Sequence, residues 1–248
     1  QLKPGFLSVT FGAGGAPRTG TYETIRRIRA RDLPAAPHIS CIGSSRAQLR
    51  ELLHAYVALG VDRIVALRGD RPQGKVVPDG ELRYPDELVA FIRAETGARF
   101  HIEVAAYPEF HPESLTPGGD LRYFKRKVEA GANSAITQYF FNLDAYLRYV
   151  DACESLGLNL AIVPGVMPIT NYKQLARFSD ACGAEIPRWI RKRLEAYGDD
   201  LDSIRAFGLD VTTELCDRLL AAGAPGLHFY ALNRAGPVCT VWDRLGLS

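Results

Sequence analysis

The run Ile64-Val65-Ala66-Leu67 is apolar at every position, with Gly60 before it and Gly69 and Pro72 after it. A strand that is apolar on both faces needs cover on both faces, as in a parallel sheet flanked by helices. The run ends in Arg68, Gly69 and Asp70, a cation, a flexible joint and an anion. In α/β folds ligands bind where the loops converge, at the carboxyl ends of the strands. A single ending of this kind is equally well read as a surface ion pair in a turn. Recurrence along the chain gives it weight.

Strand-like runs at 6–11, 38–42, 64–67, 101–107, 134–141, 160–168 and 226–234 alternate with helical periodicity at 21–31, 45–59, 85–95, 120–130 and 143–156. A further helix is capped by Thr170 or Asn171, and a less regular helical region fills 187–222. Such alternation predicts an all-parallel α/β sheet, and pattern alone leaves both doubly wound and barrel topologies open. The 248 residues show no linker, composition break or repeat, so a single domain over 1–248 is expected. Seven strands are one short of the eight that close a (β/α)8 TIM barrel, and the deficit lies at the amino end.

Composition removes several classes. A net charge of +2 without a basic, aromatic-interleaved patch gives no case for nucleic acid. No apolar run approaches the roughly 20 residues of a membrane span. The cysteines (Cys41, Cys153, Cys182, Cys216, Cys239) are scattered and never form C-x-x-C, which argues against a disulfide framework or a zinc knuckle and for a reducing cytoplasm. There is no G-x-S-x-G elbow and no H-E-x-x-H.

The polar residues at the strand ends are Thr10, His38, Arg68, Asp70, Tyr107, His111, Gln138, Tyr230 and Arg234. One carboxylate among several donors and aromatic rings suits a flat, polar, partly anionic ligand and is a poor metal site, so no metal is expected. His54 and His101 are read as structural. The glycines at 12–15 permit close backbone approach, and the loop 71–82 is long enough to be functional. Gln138 lies inside an apolar run, where its amide needs a partner. On spacing alone, Lys125-Arg126-Lys127 is a solvated helix face.

Ordered segments then carry a resemblance: Ser8-Val9-Thr10-Phe11-Gly12-Ala13-Gly14-Gly15, Ala36-Pro37-His38, Ala66-Leu67-Arg68-Gly69-Asp70, Ala105-Ala106-Tyr107-Pro108-Glu109 with His111-Pro112, Lys125 to Asn133, Ile136-Thr137-Gln138-Tyr139-Phe140, Pro164-Gly165 with Asn171, and Phe229-Tyr230 with Leu232-Asn233-Arg234. In this order they resemble the methylenetetrahydrofolate reductases. The resemblance implies a (β/α)8 barrel binding FAD at its strand ends. It also implies reduction of methylenetetrahydrofolate to methyltetrahydrofolate by NADH or NADPH, with ping-pong hydride transfer through FAD, in a cytoplasmic homo-oligomer serving one-carbon metabolism and methionine biosynthesis.

By the same resemblance Thr10, His38, Leu67, Arg68, Gly69, Asp70, Tyr84, Ala105, Tyr107, His111, Asp120, Arg126 and Lys127 match FAD-contacting positions. Asp70, Gln138, Gln174, Phe178, Tyr230 and Arg234 match positions that hold folate or nicotinamide, with Asp70, Gln138 and Phe178 nearest the chemistry. Two departures stand out. Tyr123 occupies a position where family members can carry asparagine, and no Glu-Phe-Phe-Pro-Pro-like segment carries the family's general-acid glutamate. The expectation is therefore an upstream strand bearing that glutamate, on about 30 to 50 further residues. The alternative expectations are a flavin- or folate-binding barrel without turnover, and a flavin-free lyase or methyltransferase barrel.

Overall fold

The computed structural model describes residues 2–11, 18–69 and 80–247. The glycine loop 12–15, Asp70 and most of the loop 71–82 lie outside the described residues. The described chain alternates β1 (Leu7–Val9), α1 (Arg18–Arg29), β2 (Ala35–Ser40), α2 (Arg46–Ala58), β3 (Arg63–Leu67), α3 (Pro85–Thr96), β4 (His101–Ala106), α4 (Pro117–Glu129), β5 (Ser134–Tyr139), α5 (Leu143–Ser155), β6 (Ala161–Val166), α6 (Tyr172–Cys182), α7 (Arg188–Tyr197), α8 (Leu201–Ala221), β7 (His228–Phe229) and α9 (Ala235–Arg244). The strands follow one another through the sheet in chain order, β1 to β7, and the described pairings are parallel. That singly wound order belongs to the (β/α) barrel class, and it closes the doubly wound alternative, whose strand order reverses partway.

Two compact units are distinguishable, one of residues 3–105 and 123–135, the other of 1–2, 106–122 and 136–248. In the first unit β3 is the buried ribbon its sequence demands, with Ile64, Val65 and Ala66 at most 3% exposed. Ser45 caps α2 in a capping box with Gln48, which fixes where the helix begins. The buried stripe of α2 is Leu49, Leu53 and Tyr56, while Val57 is exposed, at the edge of the apolar arc. On β4 the buried Glu103 carboxylate is paired with Arg63 of β3 and accepts from Ser134 Oγ of β5 at 2.6 Å. His101 lies 3.5 Å from the same carboxylate, which is the structural role expected of it.

The second unit is held by a cluster of Tyr139, Met167, Ile169, Leu175, Ile186, Ile190, Leu194 and Ile204, against which Phe178 and Tyr230 pack. The irregular stretch 187–222 resolves into two helices because Gly198 takes a positive φ of 57° and the Asp200 side chain then accepts from Asp202 and Ser203 N–H groups. The last strand is far shorter than the 226–234 expected, because Leu232 and Asn233 adopt left-handed φ of 48° and 60° and turn the chain into α9.

Candidate functional site

In the first unit the sheet register gathers several of the expected residues. His38 pairs with Val65, and Val65 with Glu103. Cross-strand partners share a face, and so do alternate residues of one strand. His38, Leu67 and Ala105 therefore lie on one face of β2, β3 and β4. At the end of β3 the Arg68 carbonyl accepts from Ser40 Oγ at 2.6 Å and from the Ile42 N–H at 3.0 Å. Gly69 follows with φ +91°, and a Cβ there would lie 2.0 Å from Ser40 Oγ. The turn that ends β3 thus requires glycine at position 69. The Thr10 carbonyl, at the end of β1, accepts from Thr21 Oγ1 at 2.7 Å.

The basic run of α4 divides. Arg126 is half-exposed, pairs with Asp86 at 2.6 Å, and holds its guanidinium over the rings of Tyr84 (5.9 Å) and Tyr123 (5.8 Å). Lys127, one position on, is buried and donates to the Ala105 carbonyl at the end of β4. Of the two, Arg126 is the side chain open to an anion. Tyr84 is the N-cap residue of α3, which places its ring beside Arg126.

In the second unit the loop after β4 is organised around Tyr107, whose ring meets His111 edge-on at 4.7 Å. His111 Nδ1 accepts from the Glu113 N–H at 3.1 Å, which leaves the proton on Nε2 when the ring is neutral. Glu109 accepts from the Glu185 N–H at 2.8 Å, and burial raises its carboxyl above the ordinary value. Asp120 is buried in the first turn of α4.

Gln138 sits at the end of β5, its Oε1 accepting from the Tyr139 N–H at 3.0 Å. Gln174 and Phe178 are one turn apart on α6, which starts at the Asn171 cap. Tyr230 donates to the Thr137 carbonyl at 2.8 Å, and Thr137 Oγ1 accepts from the Gly165 N–H at 2.8 Å. A Cβ on Gly165 would lie 2.6 Å from Tyr230 Cε2, so the glycine makes room for that ring. Arg234 opens α9 and lines a cavity of about 540 Å³ together with Gln174. The same cavity is lined by Lys173, Arg177 and Arg205, which strand-end reasoning missed. The spacing of Lys173 and Arg177 was visible; their convergence with Arg205 was not.

His228 opens β7 and stacks edge-on against Tyr230 at 5.1 Å. Burial lowers its pKa to about 4. In the unfolded chain a histidine binds its proton near pH 6.5, so folding is favoured above that pH and loses this support as pH falls toward 4. Unfolding free energy should therefore drop by about 2 kcal/mol from this residue between pH 7 and pH 5. Denaturant titrations at the two pH values should show the drop in the parent chain and a smaller one in His228→Gln; equal drops would contradict the assignment.

The strand order and these strand-end residues define a parallel α/β protein of the (β/α) barrel class with polar, aromatic and cationic groups at its loop ends. The sequence profile of methylenetetrahydrofolate reductase matches residues 1–246. The 5,10-methylenetetrahydrofolate reductases of Salmonella typhimurium and Escherichia coli are each 40% identical over 248 residues, covering 100% of this chain and 82% of theirs. Methylenetetrahydrofolate reductase (NADH) 1 of Zea mays is 35% identical over 257 residues, covering 98% of this chain and 43% of its own. A Clostridium thermocellum protein described as binding two copies of 5-methyl-5,6,7,8-tetrahydrofolic acid shares the fold, with a TM-score of 0.61 at 14% identity, over 98% of this chain and 95% of that one. The chain belongs to the methylenetetrahydrofolate reductase family, a family of oxidoreductases. Among the described residues no helix is long and apolar enough to cross a membrane, and no group of His, Cys, Asp or Glu could hold a metal ion.

Proposed function

We propose that this chain reduces 5,10-methylenetetrahydrofolate to 5-methyltetrahydrofolate, with FAD as resident cofactor and NADH or NADPH as reductant. The observation that carries the reading is the 40% identity to named reductases over the full chain. The family resemblance extends the proposal to a single-domain, cytoplasmic homo-oligomer.

The donor set suits FAD. A guanidinium between two exposed rings offers paired N–H donors to a pyrophosphate, and Arg126 with Tyr84 and Tyr123 has that form. His38, Leu67 and Ala105 share a face on which a flat ring system can rest, with Arg68 and Gly69 at its edge. Tyr107, His111, Asp120, Lys127 and Thr10 are the remaining cofactor residues in this reading.

Bound FAD supplies hydride storage, which lets a nicotinamide and a folate use the site in turn. The chain's own residues do the rest. Phe178 stacks on whichever flat ring is present. Gln138 and Gln174 pair with a carboxamide or a pterin edge. Tyr230, held by Thr137, walls the site. Arg234 meets a folate carboxylate. Asp70 hydrogen-bonds the pterin and stabilises the positive charge that develops when the five-membered ring of the folate opens.

The absorption spectrum of the purified protein tests the cofactor half of the reading. A flavin band is expected, and Arg126→Ala should lower flavin retention, with the loss growing as salt rises because phosphate contacts are screened. A parent protein that takes up no flavin when FAD is supplied would end the reading. A fully loaded Arg126→Ala protein in high salt would return Arg126 to a simple partner of Asp86.

A further inference from the structure

We propose that Glu109 is a positioning residue for hydride transfer, a latch whose carboxylate fastens the loop of the flavin contacts to the end of the substrate helix. The proposal rests on the functional reading above and gives a role to a residue which that reading leaves unused.

The loop between β4 and α4 runs from Tyr107 to Thr116. Its first turn closes where the Phe110 N–H donates to the Tyr107 carbonyl at 3.0 Å. Glu109 sits within that turn, two positions from Tyr107 and two from His111, the cofactor residues of the loop. Its Oε2 accepts from the Glu185 N–H at 2.8 Å, across 76 positions of sequence. Glu185 comes just after Gly183, the residue that ends α6. Gln174 and Phe178, the substrate residues, lie on that same helix. One hydrogen bond therefore ties the cofactor loop to the substrate helix, and all of these residues belong to one compact unit.

Further features seat the loop there. Gly183 takes a φ of +76°, and a Cβ on it would lie 2.9 Å from Pro112 Cγ, so the loop packs against the helix end with no room for a side chain. Phe110 holds a left-handed φ of 54°, which a bulky residue keeps only where its surroundings fix it. Tyr107, Glu109, Gln138 and Cys182 line one crevice of about 10 Å³, near the limit for a single water. Gln138 thus meets the latch from the end of β5. Ala184 and Ile186, on either side of Glu185, are buried in the core cluster with Tyr139, so the N–H is offered from a fixed backbone. A carboxylate bonded to a backbone N–H is a strong, charge-assisted partner. Its reach sets the spacing of the two parts, and a misplacement of about 1 Å at a reacting pair can cost about 10²-fold in rate.

Amide hydrogen exchange and stopped-flow kinetics on the FAD-loaded protein give two independent readouts. Glu109→Ala should speed exchange at the Glu185 amide about tenfold, the size of one lost charge-assisted hydrogen bond. It should also slow both half-reactions about tenfold at saturating substrate, with substrate affinity little changed. Glu109→Gln keeps an acceptor oxygen at the same reach and should recover most of both losses. Glu109→Asp keeps the charge but is one methylene short, and should resemble Glu109→Ala. A merely structural residue would lower stability and leave the rate per bound flavin unchanged. Parent-like exchange at Glu185 in Glu109→Ala, parent-like rates in that variant, or a Gln variant as slow as the Ala one would each overturn the proposal. A parent that binds flavin but transfers no hydride would overturn the functional reading, and the role of the latch with it, even where the exchange result shows the bond.

Discussion

Asp70→Asn is expected to keep its flavin and its fold while losing about 10²–10³-fold in the rate of methylenetetrahydrofolate reduction, the usual cost of removing one preorganised electrostatic partner. The residue directly follows Gly69 at the carboxyl end of β3, and the family resemblance puts it among both the cofactor and the folate contacts. Ring opening of the folate develops positive charge, and a carboxylate beside that charge lowers the barrier while an amide does not. Reduction of the flavin by NADH develops no comparable cation near Asp70, so that step should fall much less. Stopped-flow measurement of the two half-reactions separates the effects. Equal losses in both would make Asp70 a structural residue of the turn.

Gly69→Ala should be the most damaging small substitution near the site. At φ +91° an alanine is strained whatever the surroundings, and its Cβ would lie 2.0 Å from Ser40 Oγ and 2.8 Å from Ile42 Cγ2. Ser40 cannot simply withdraw, because its hydroxyl donates to the Arg68 carbonyl at 2.6 Å. Backbone strain, overlap and a lost buried hydrogen bond together should cost about 3 kcal/mol in unfolding free energy. Flavin affinity should fall as well, since Arg68 and Asp70 flank the displaced peptide. Urea titration and flavin release during dialysis measure the two effects. A variant as stable as the parent with full flavin would show that the β3 turn tolerates a side chain.

Much of this was legible in the residues. The apolar run 64–67 demanded burial on both faces, and β3 is buried on both. Of the two caps the sequence offers for α6, Thr170 and Asn171, the Asn171 side chain takes the role, accepting from the Gln174 N–H. What escaped depended on partners distant in sequence. Asn233 tolerates a left-handed φ, but Leu232 before it gives no such signal, and the apolar run 226–232 looks like a strand longer than the β7 it forms. Lys125-Arg126-Lys127 reads as one basic patch, yet Lys127 is drawn inward by the Ala105 carbonyl while Arg126 turns to Asp86. Arg205 stands 28 positions (205 − 177) beyond Arg177, and only the packing of α8 near α6 brings it to the same cavity.

The central claim, a flavin-linked folate reductase, is met most directly by one anaerobic experiment on the FAD-loaded protein. NADH or NADPH is added until the flavin band is followed to completion, and methylenetetrahydrofolate is then supplied without oxygen. The account predicts that the band bleaches on the first addition and returns on the second, with 5-methyltetrahydrofolate formed in amount equal to the flavin. A band that bleaches and stays bleached when the folate is present, or that never bleaches with either nicotinamide, would contradict it.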